Sequence, residues 1–193
     1  MTKNNIIIAA LRLFLLRGYR NVSLVDVGNE IGITKGGIYH YFGSKEELFH
    51  SVIDYLFDHF GVRYAELFAK EKSFREILKF MLGGEQEAYM ERLLNLKHGD
   101  YRANHASIAL EIMHNFPKIQ DRIDHGHLQL RNTITEKLQI AQETGEIRPD
   151  LDAEILATMV LSISCGLNIL GHNLNTPTMH QQIIDSIWLI IGD

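Results

Sequence analysis

"SLVDVGNEIGITKGGIYHYFGSKEELF", Ser23 to Phe49, decides the fold. Ser23 stands three residues before Asp26, close to a capping box with the shorter carboxylate in place of Glu. Val27 and Ile31 give the helix that follows a buried side. Gly32 breaks that helix, and Thr34 is placed to cap the next. Ile38 and Phe42 are four residues apart and share a face of it. Ser44 then caps a further helix, whose first turn carries Glu46 and Glu47, where carboxylates favour the positive helix end. Short helices joined by a tight Gly turn make a helix-turn-helix. In such a unit the helix after the turn enters the DNA major groove with its N-terminal residues on base edges.

Gly36 and Gly37 sit inside that helix although each costs roughly 1 kcal/mol relative to Ala. Close approach to DNA gives a reason, because an α-helix in the groove leaves little clearance. Lys35 can donate to guanine acceptors, and the Thr34 hydroxyl or methyl can meet a base or phosphate. Tyr39, Tyr41 and Lys45 offer donors to phosphates, contacts that fix register rather than sequence. His40 reads either as a further DNA contact or as solvated. Gly37 is expected to remove a side chain that could have read a base, leaving specificity on Thr34 and Lys35. The candidate DNA-binding set is therefore Ser23, Thr34, Lys35, Gly36, Gly37, Tyr39, His40, Tyr41 and Lys45.

Upstream, Ile6, Ala10, Leu13 and Phe14 form one face of a helix over Asn4 to Arg17, which Gly18 ends as a left-handed cap. Ile8 and Leu16 fall on its other side. Downstream, Leu48, Phe49, Val52, Ile53, Leu56, Phe57 and Phe60 recur at three- and four-residue spacing, so the fourth helix is long and bridges head and body. Further helices are expected from Ser73 with a break at Gly83-Gly84, over Ala103 to Asn115, from Pro117 to Thr144, from Asp152 to Gly171 and from Thr178 to Ile191. The expectation is an all-α chain of about nine helices. A three-helix head, residues 1–48 with its motif at about 25–44, is joined by the fourth helix to a C-terminal helical bundle, residues 49–193.

With 193 residues, 46% of them hydrophobic, the chain can bury a real core. Its net charge of −5 is unevenly spread: residues 1–50 carry six Lys/Arg against four Asp/Glu, so a basic head sits on an acidic body. The one cysteine, Cys165, excludes an internal disulfide and fits a reducing, cytoplasmic setting. It is read as a buried, inert thiol. The N-terminus lacks a signal-peptide cleavage site, and the apolar run Ile155 to Leu170 is shorter than the roughly 20 residues of a bilayer span, so no membrane partner is expected. The ten histidines lack metal-ligand spacing. No phosphate loop or nucleophile elbow is present, so neither enzyme activity nor a cofactor is expected.

The quoted segment resembles the DNA-binding signature of the tetracycline-repressor (TetR) family. "IIIAALRLFLLRGYRNVSL" is similar to that family's opening, and "GEIRPDLDAEILATMVLSISCGLNIL" resembles its turn and eighth helix. The resemblance implies a homodimer whose two recognition helices read a palindromic operator and which a small effector releases. It places Thr34, Lys35 and Gly36 among base readers and Tyr39, Tyr41 and Lys45 among phosphate contacts. It also implies a four-helix dimer interface from the last two helices, with Met159, Ile163, Leu167, Ile184, Ile187 and Trp188 as candidates. Val22 stands where many members have Thr, Gly28 where Ala is usual, and Ile31 where a small residue is usual.

Met81, Tyr89, Met90, Met113, Phe116 and Met159 could line a pocket for a largely apolar effector, with His114, Tyr101 and Asn168 as polar contacts. Ordinary core is the competing reading. "GGEQEAYMER" and "KIQDRIDHGH" read as solvated faces. The alternative function is a helical ligand-binding or sequestering protein whose head no longer binds DNA.

Overall fold

The computed structural model describes residues 3–69, 71–97, 100, 104–170 and 176–192. The pocket candidate Tyr101, the histidines His98 and His172, and the expected helix ends Ala103 and Gly171 lie outside the described residues. Among the described residues ten α-helices follow one another: α1 Lys3–Arg17, α2 Leu24–Glu30, α3 Lys35–Tyr41, α4 Lys45–Ala69, α5 Phe74–Leu82, α6 Glu85–Leu93, α7 His105–Asn115, α8 Pro117–Glu143, α9 Ala153–Leu167 and α10 Pro177–Ile191. Among the described residues the β pairing is a lone bridge between Ile147 and Gly192. No helix among them is long and apolar enough to cross a membrane. The count exceeds nine because Gly83-Gly84 splits residues 74–93 into two helices. Gly84 takes φ +80°, where an L side chain is strained.

The chain divides into two compact units: residues 1–62 with 89–120, and 63–88 with 121–193. In the first, α1 is buried almost all round, through Ile6, Ile7, Ala10, Leu13 and Phe14. Gly18 ends it at φ +78°, its N–H donating to the Phe14 carbonyl at 2.8 Å. An ion pair between Arg12 and Glu30 ties α1 to α2. Helix α7 joins this unit because Asn104 donates to the Leu15 carbonyl at 2.8 Å, and Arg20 pairs with Glu111 at 2.6 Å. Phe116 then closes an aromatic cluster with Tyr19 and Phe49, at centroid distances of 5.4 and 5.0 Å. Edge and tilted ring pairs of this kind add about 0.5–1.5 kcal/mol each beyond their burial.

The second unit packs α5 against α9 and α10. Its core holds Phe74, Ile77, Leu78, Leu82, Ile134, Leu138, Ala157, Val160, Leu167 and Ile184. Ser73 caps α5 in a full box with Glu76, and Glu146 reaches the N–H groups of Phe74 and Arg75 at 2.9 and 3.2 Å. Asp152 caps α9, and Thr176 caps α10 with Pro177 at the first helical position, where its missing N–H costs nothing.

Two expectations need correction here. Leu167 and Ile184, expected between copies of the chain, belong to the protomer core, at 7% and 1% exposure. The periodicity of α9 and α10 fits both roles, and both residues join the buried cluster of the second unit. "GGEQEAYMER" is not a solvated face: Glu87, Met90 and Glu91 are buried, because α6 turns one side inward despite its acidic composition.

Candidate nucleic-acid interface

Three caps fix the helix-turn-helix. The Ser23 hydroxyl accepts from the Asp26 N–H at 3.2 Å, while the Ser23 N–H and hydroxyl donate to the Asp26 carboxylate at 2.7 and 2.6 Å. These bonds, the side-chain one foremost, hold the Asp26 carboxyl below its usual pKa. Gly32 at φ +72° makes the turn, and the Ile33 N–H donates to the Gly28 carbonyl at 2.9 Å. A Cβ on Gly28 would stand 3.2 Å from the Ile33 carbonyl oxygen. The Gly that departs from the family's usual Ala thus lets α2 lie close against the turn. Thr34 caps α3 by accepting from the Gly37 N–H at 3.1 Å. Ser44 accepts from the Glu47 N–H at 3.0 Å, and Glu47 in turn accepts from the Gly43 N–H at 2.8 Å.

Ile38 and Phe42 are both fully buried and pin α3 to the head, each contributing roughly 1.5–3 kcal/mol. The opposite face is open to solvent: Thr34, Lys35, Gly36, Tyr39, His40 and Tyr41 are all exposed. A Cβ on Gly36 would meet nothing within 4 Å. Tyr39 is 47% exposed with the Lys35 ammonium 5.9 Å from its ring, and His40 packs edge-on to Tyr41 at 5.5 Å.

The structure brings Ser23, Tyr39 and Lys45 together around one open groove of about 410 Å³, with Arg20, Asn21, Val22, Asp26, Gly43 and Ser44 also lining it. Lys45 lies over the Tyr19 ring at 4.1 Å and donates to the Arg20 carbonyl at 3.4 Å. Burial lowers its ammonium pKa, with Glu111 and Asp26 opposing. Arg20 was not foreseen. Its pairing with Glu111 leaves the side chain 75% exposed at the groove. The signal was its place in the turn between the first two helices, beside Asn21.

Two of the expected DNA-binding residues also take part in caps. The Ser23 hydroxyl donates to Asp26 within the cap of α2. A Cβ on Gly37 would stand 3.4 Å from the Thr34 hydroxyl oxygen and 3.6 Å from the Ile33 Cβ, beside the cap of α3.

A family model described as "Bacterial regulatory proteins, tetR family" matches residues 6–52, which contain this whole arrangement. A second, "Tetracyclin repressor-like, C-terminal domain", matches residues 105–187. The chain belongs to the TetR family of bacterial regulatory proteins. Members of this family are non-enzymatic DNA-binding regulators. The chain is 25% identical over 169 residues to the HTH-type transcriptional regulator UidR of Escherichia coli strain K12, covering 86% of this chain and 79% of that one. It is 27% identical over 161 residues to the HTH-type transcriptional repressor ComR of the same organism, covering 83% and 74%. A crystal structure of a TetR transcriptional regulator from Chloroflexus aurantiacus J-10-FL superposes with a TM-score of 0.75 at 26% identity, covering 98% of this chain and 95% of that one.

Of the six soft and aromatic pocket candidates, Tyr89, Met90, Met113 and Phe116 belong to the first unit and Met81 and Met159 to the second. Met113 is 63% exposed, and His114 is exposed, its Nδ1 on the Leu110 carbonyl at 2.8 Å. Phe116 is spent on the aromatic cluster of the first unit. Tyr89 hydrogen-bonds His59 at 2.6 Å and stacks on that ring, on which Tyr55 stacks as well. Met81 is core and Met159 is half-exposed on α9. Met90 is fully buried, and Asn168 donates to its own helix at the Ser164 carbonyl, 3.1 Å away. Of the six soft and aromatic side chains, packing buries Met81, Met90 and Phe116, leaves Met113 and Met159 exposed, and half-buries Tyr89 against His59.

Proposed function

We propose that this TetR-family chain is a homodimeric repressor that binds a palindromic operator and is released by a small effector. Residues 1–48 bind the DNA, and residues 49–193 hold the effector and the dimer contact. The observation that carries the reading is the capped α3, pinned by Ile38 and Phe42 with Lys35, Gly36 and Tyr39 facing outward. Lys35 and Thr34 read base edges. Tyr39, Tyr41, Lys45 and Arg20 hold phosphates, with Lys45 leaving the Tyr19 ring to do so.

Dimerisation is supported by apolar side chains left exposed on α9 and α10: Ile155, Met159, Leu189 and Ile190. Of the residues first expected there, Met159, Ile163, Ile187 and Trp188 keep exposed or half-buried surface. Such a contact would set two recognition helices on successive groove faces, roughly 34–36 Å apart or more. Effector release then follows from a higher affinity for the DNA-incompetent form.

A salt titration of gel shifts on the gene's own upstream region tests the proposal. A complex that survives competitor DNA, weakens with salt and collapses in a Lys35→Ala, Tyr39→Ala, Lys45→Ala triple variant is expected. Failure of the wild-type protein to prefer any fragment would reject it in favour of the sequestering alternative.

A further inference from the structure

The groove cation Arg20 is held by a residue far along the chain. Its Nε donates to the Glu111 carboxylate at 2.6 Å. Glu111 is itself fixed: its side chain is 13% exposed, and its other oxygen accepts from the Asn115 Nδ2 at 2.8 Å. The helix that carries it, α7, is tied to the end of α1. Asn104 donates to the Leu15 carbonyl at 2.8 Å, and Phe116 packs edge-on to Tyr19 at 5.4 Å. All of these residues lie in the first unit.

An ion pair with so exposed a cation does little for stability, because water screens it. What it changes is the freedom of the guanidinium. That group carries five N–H donors in one rigid plane. Glu111 takes the one on Nε, and the four on the two Nη nitrogens meet no described residue. The side chain is 75% exposed and lines the groove beside Tyr39 and Lys45. An arginine loses rotamer freedom when it grips a phosphate, and one already held has lost it beforehand. The Glu111 charge acts the other way, since it repels phosphate. Two cations answer that charge, however: Arg20 directly, and Lys45, whose ammonium Glu111 helps to keep protonated. The repulsion is thus largely neutralised, whereas an unanchored Arg20 forfeits a contact. Through counterion release one phosphate contact is worth about eightfold in affinity at roughly 0.1 M salt.

We propose that Glu111 is a positioning residue for DNA binding: its fixed carboxylate holds Arg20 by Nε and leaves both Nη groups to grip one backbone phosphate. This rests on the reading that the chain binds DNA, and it adds to that reading a residue outside the 1–48 head.

Fluorescence anisotropy on a genomic duplex that the wild-type protein retains, between about 50 and 200 mM salt, tests it. Glu111→Ala is expected to weaken binding about eightfold per head and to lower the salt slope by about one per head, although it removes a negative charge. Glu111→Gln keeps an acceptor for Nε and recovers most of the loss. In an Arg20→Ala background, Glu111→Ala adds nothing. Arg20→Lys, a change at an exposed side chain, weakens binding as Glu111→Ala does, because an ammonium has no second nitrogen to offer. It decides the matter together with Glu111→Gln if Glu111→Ala does not fold. Glu111→Ala binding as tightly as Glu111→Gln, or Arg20→Lys binding like wild type, overturns the proposal. Weaker binding with an unchanged salt slope also overturns it, since the role of Glu111 is then structural. A wild-type protein that retains no DNA rejects the operator reading and this proposal with it. A good wild-type complex indifferent to Glu111 rejects this proposal alone.

Discussion

Gly36→Ala pits helix stability against DNA binding. The residue is exposed within α3 and its added Cβ would meet nothing within 4 Å. In the free protein the methyl group therefore brings no clash and removes the entropic cost of glycine, a gain of about 0.5–1 kcal/mol. For a chain of this length that raises Tm by about 1–4 °C. On DNA the outcome reverses. If the Gly36 backbone lies at van der Waals distance from the groove, a methyl standing roughly 1.5 Å further out pushes α3 back by about that distance. Hydrogen bonds from Lys35 hold only over about 2.7–3.2 Å, so at least one charge-assisted bond per head is lost. At about 1.5–3 kcal/mol each, the loss is tenfold or more per head, and it compounds in a dimer. Thermal melts and fluorescence anisotropy on the same preparations read both effects. A variant that is stabilised but binds operator within twofold of wild type would show that α3 does not approach DNA through Gly36.

Other perturbations test the surrounding parts. Thr34→Ala removes the cap of α3 and is expected to cost about 1 kcal/mol of stability, read by urea unfolding, with DNA affinity falling further than stability. Phe116→Ala opens the cluster of Tyr19, Phe49 and Phe116, and about 3–5 kcal/mol of destabilisation is expected on chemical denaturation. The carboxyls of Asp26 and Glu76 are both held below their usual pKa by cap hydrogen bonds. Their stabilising contribution is therefore full above the ordinary carboxylate range and lost as pH falls through the lowered folded values. Melting curves between pH 6 and 3 are expected to show this loss, and Ser23→Ala to flatten part of it. Leu189 is 87% exposed on α10, so Leu189→Asp is expected to leave the protomer folded and shift sedimentation toward the monomer.

The head was legible because its residues act locally. Caps at Ser23, Thr34 and Ser44, the turn at Gly32 and the four-residue spacing of Ile38 and Phe42 leave the backbone few alternatives. The roles of single side chains were less legible, because they depend on neighbours distant in sequence. Lys45 is drawn onto Tyr19, and Arg20 is held by Glu111, which lies 91 residues away. The body shows the same limit. Its helices follow from periodicity, yet Leu167 and Ile184 fit an interface stripe and a core stripe equally until the tertiary core encloses them. Glu87 and Glu91 sit in an acidic run whose composition suggests solvent, yet tertiary packing buries both.

The central claim is that α3 reads a specific sequence, and the most direct measurement is selection of fragmented genomic DNA by the purified protein, followed by sequencing and footprinting. The account predicts a small set of retained fragments sharing an inverted repeat, with two protected half-sites about one helical turn or more apart, and a changed consensus for Lys35→Ala. Retention without any shared sequence, lost uniformly as salt rises and indifferent to Lys35, would contradict it.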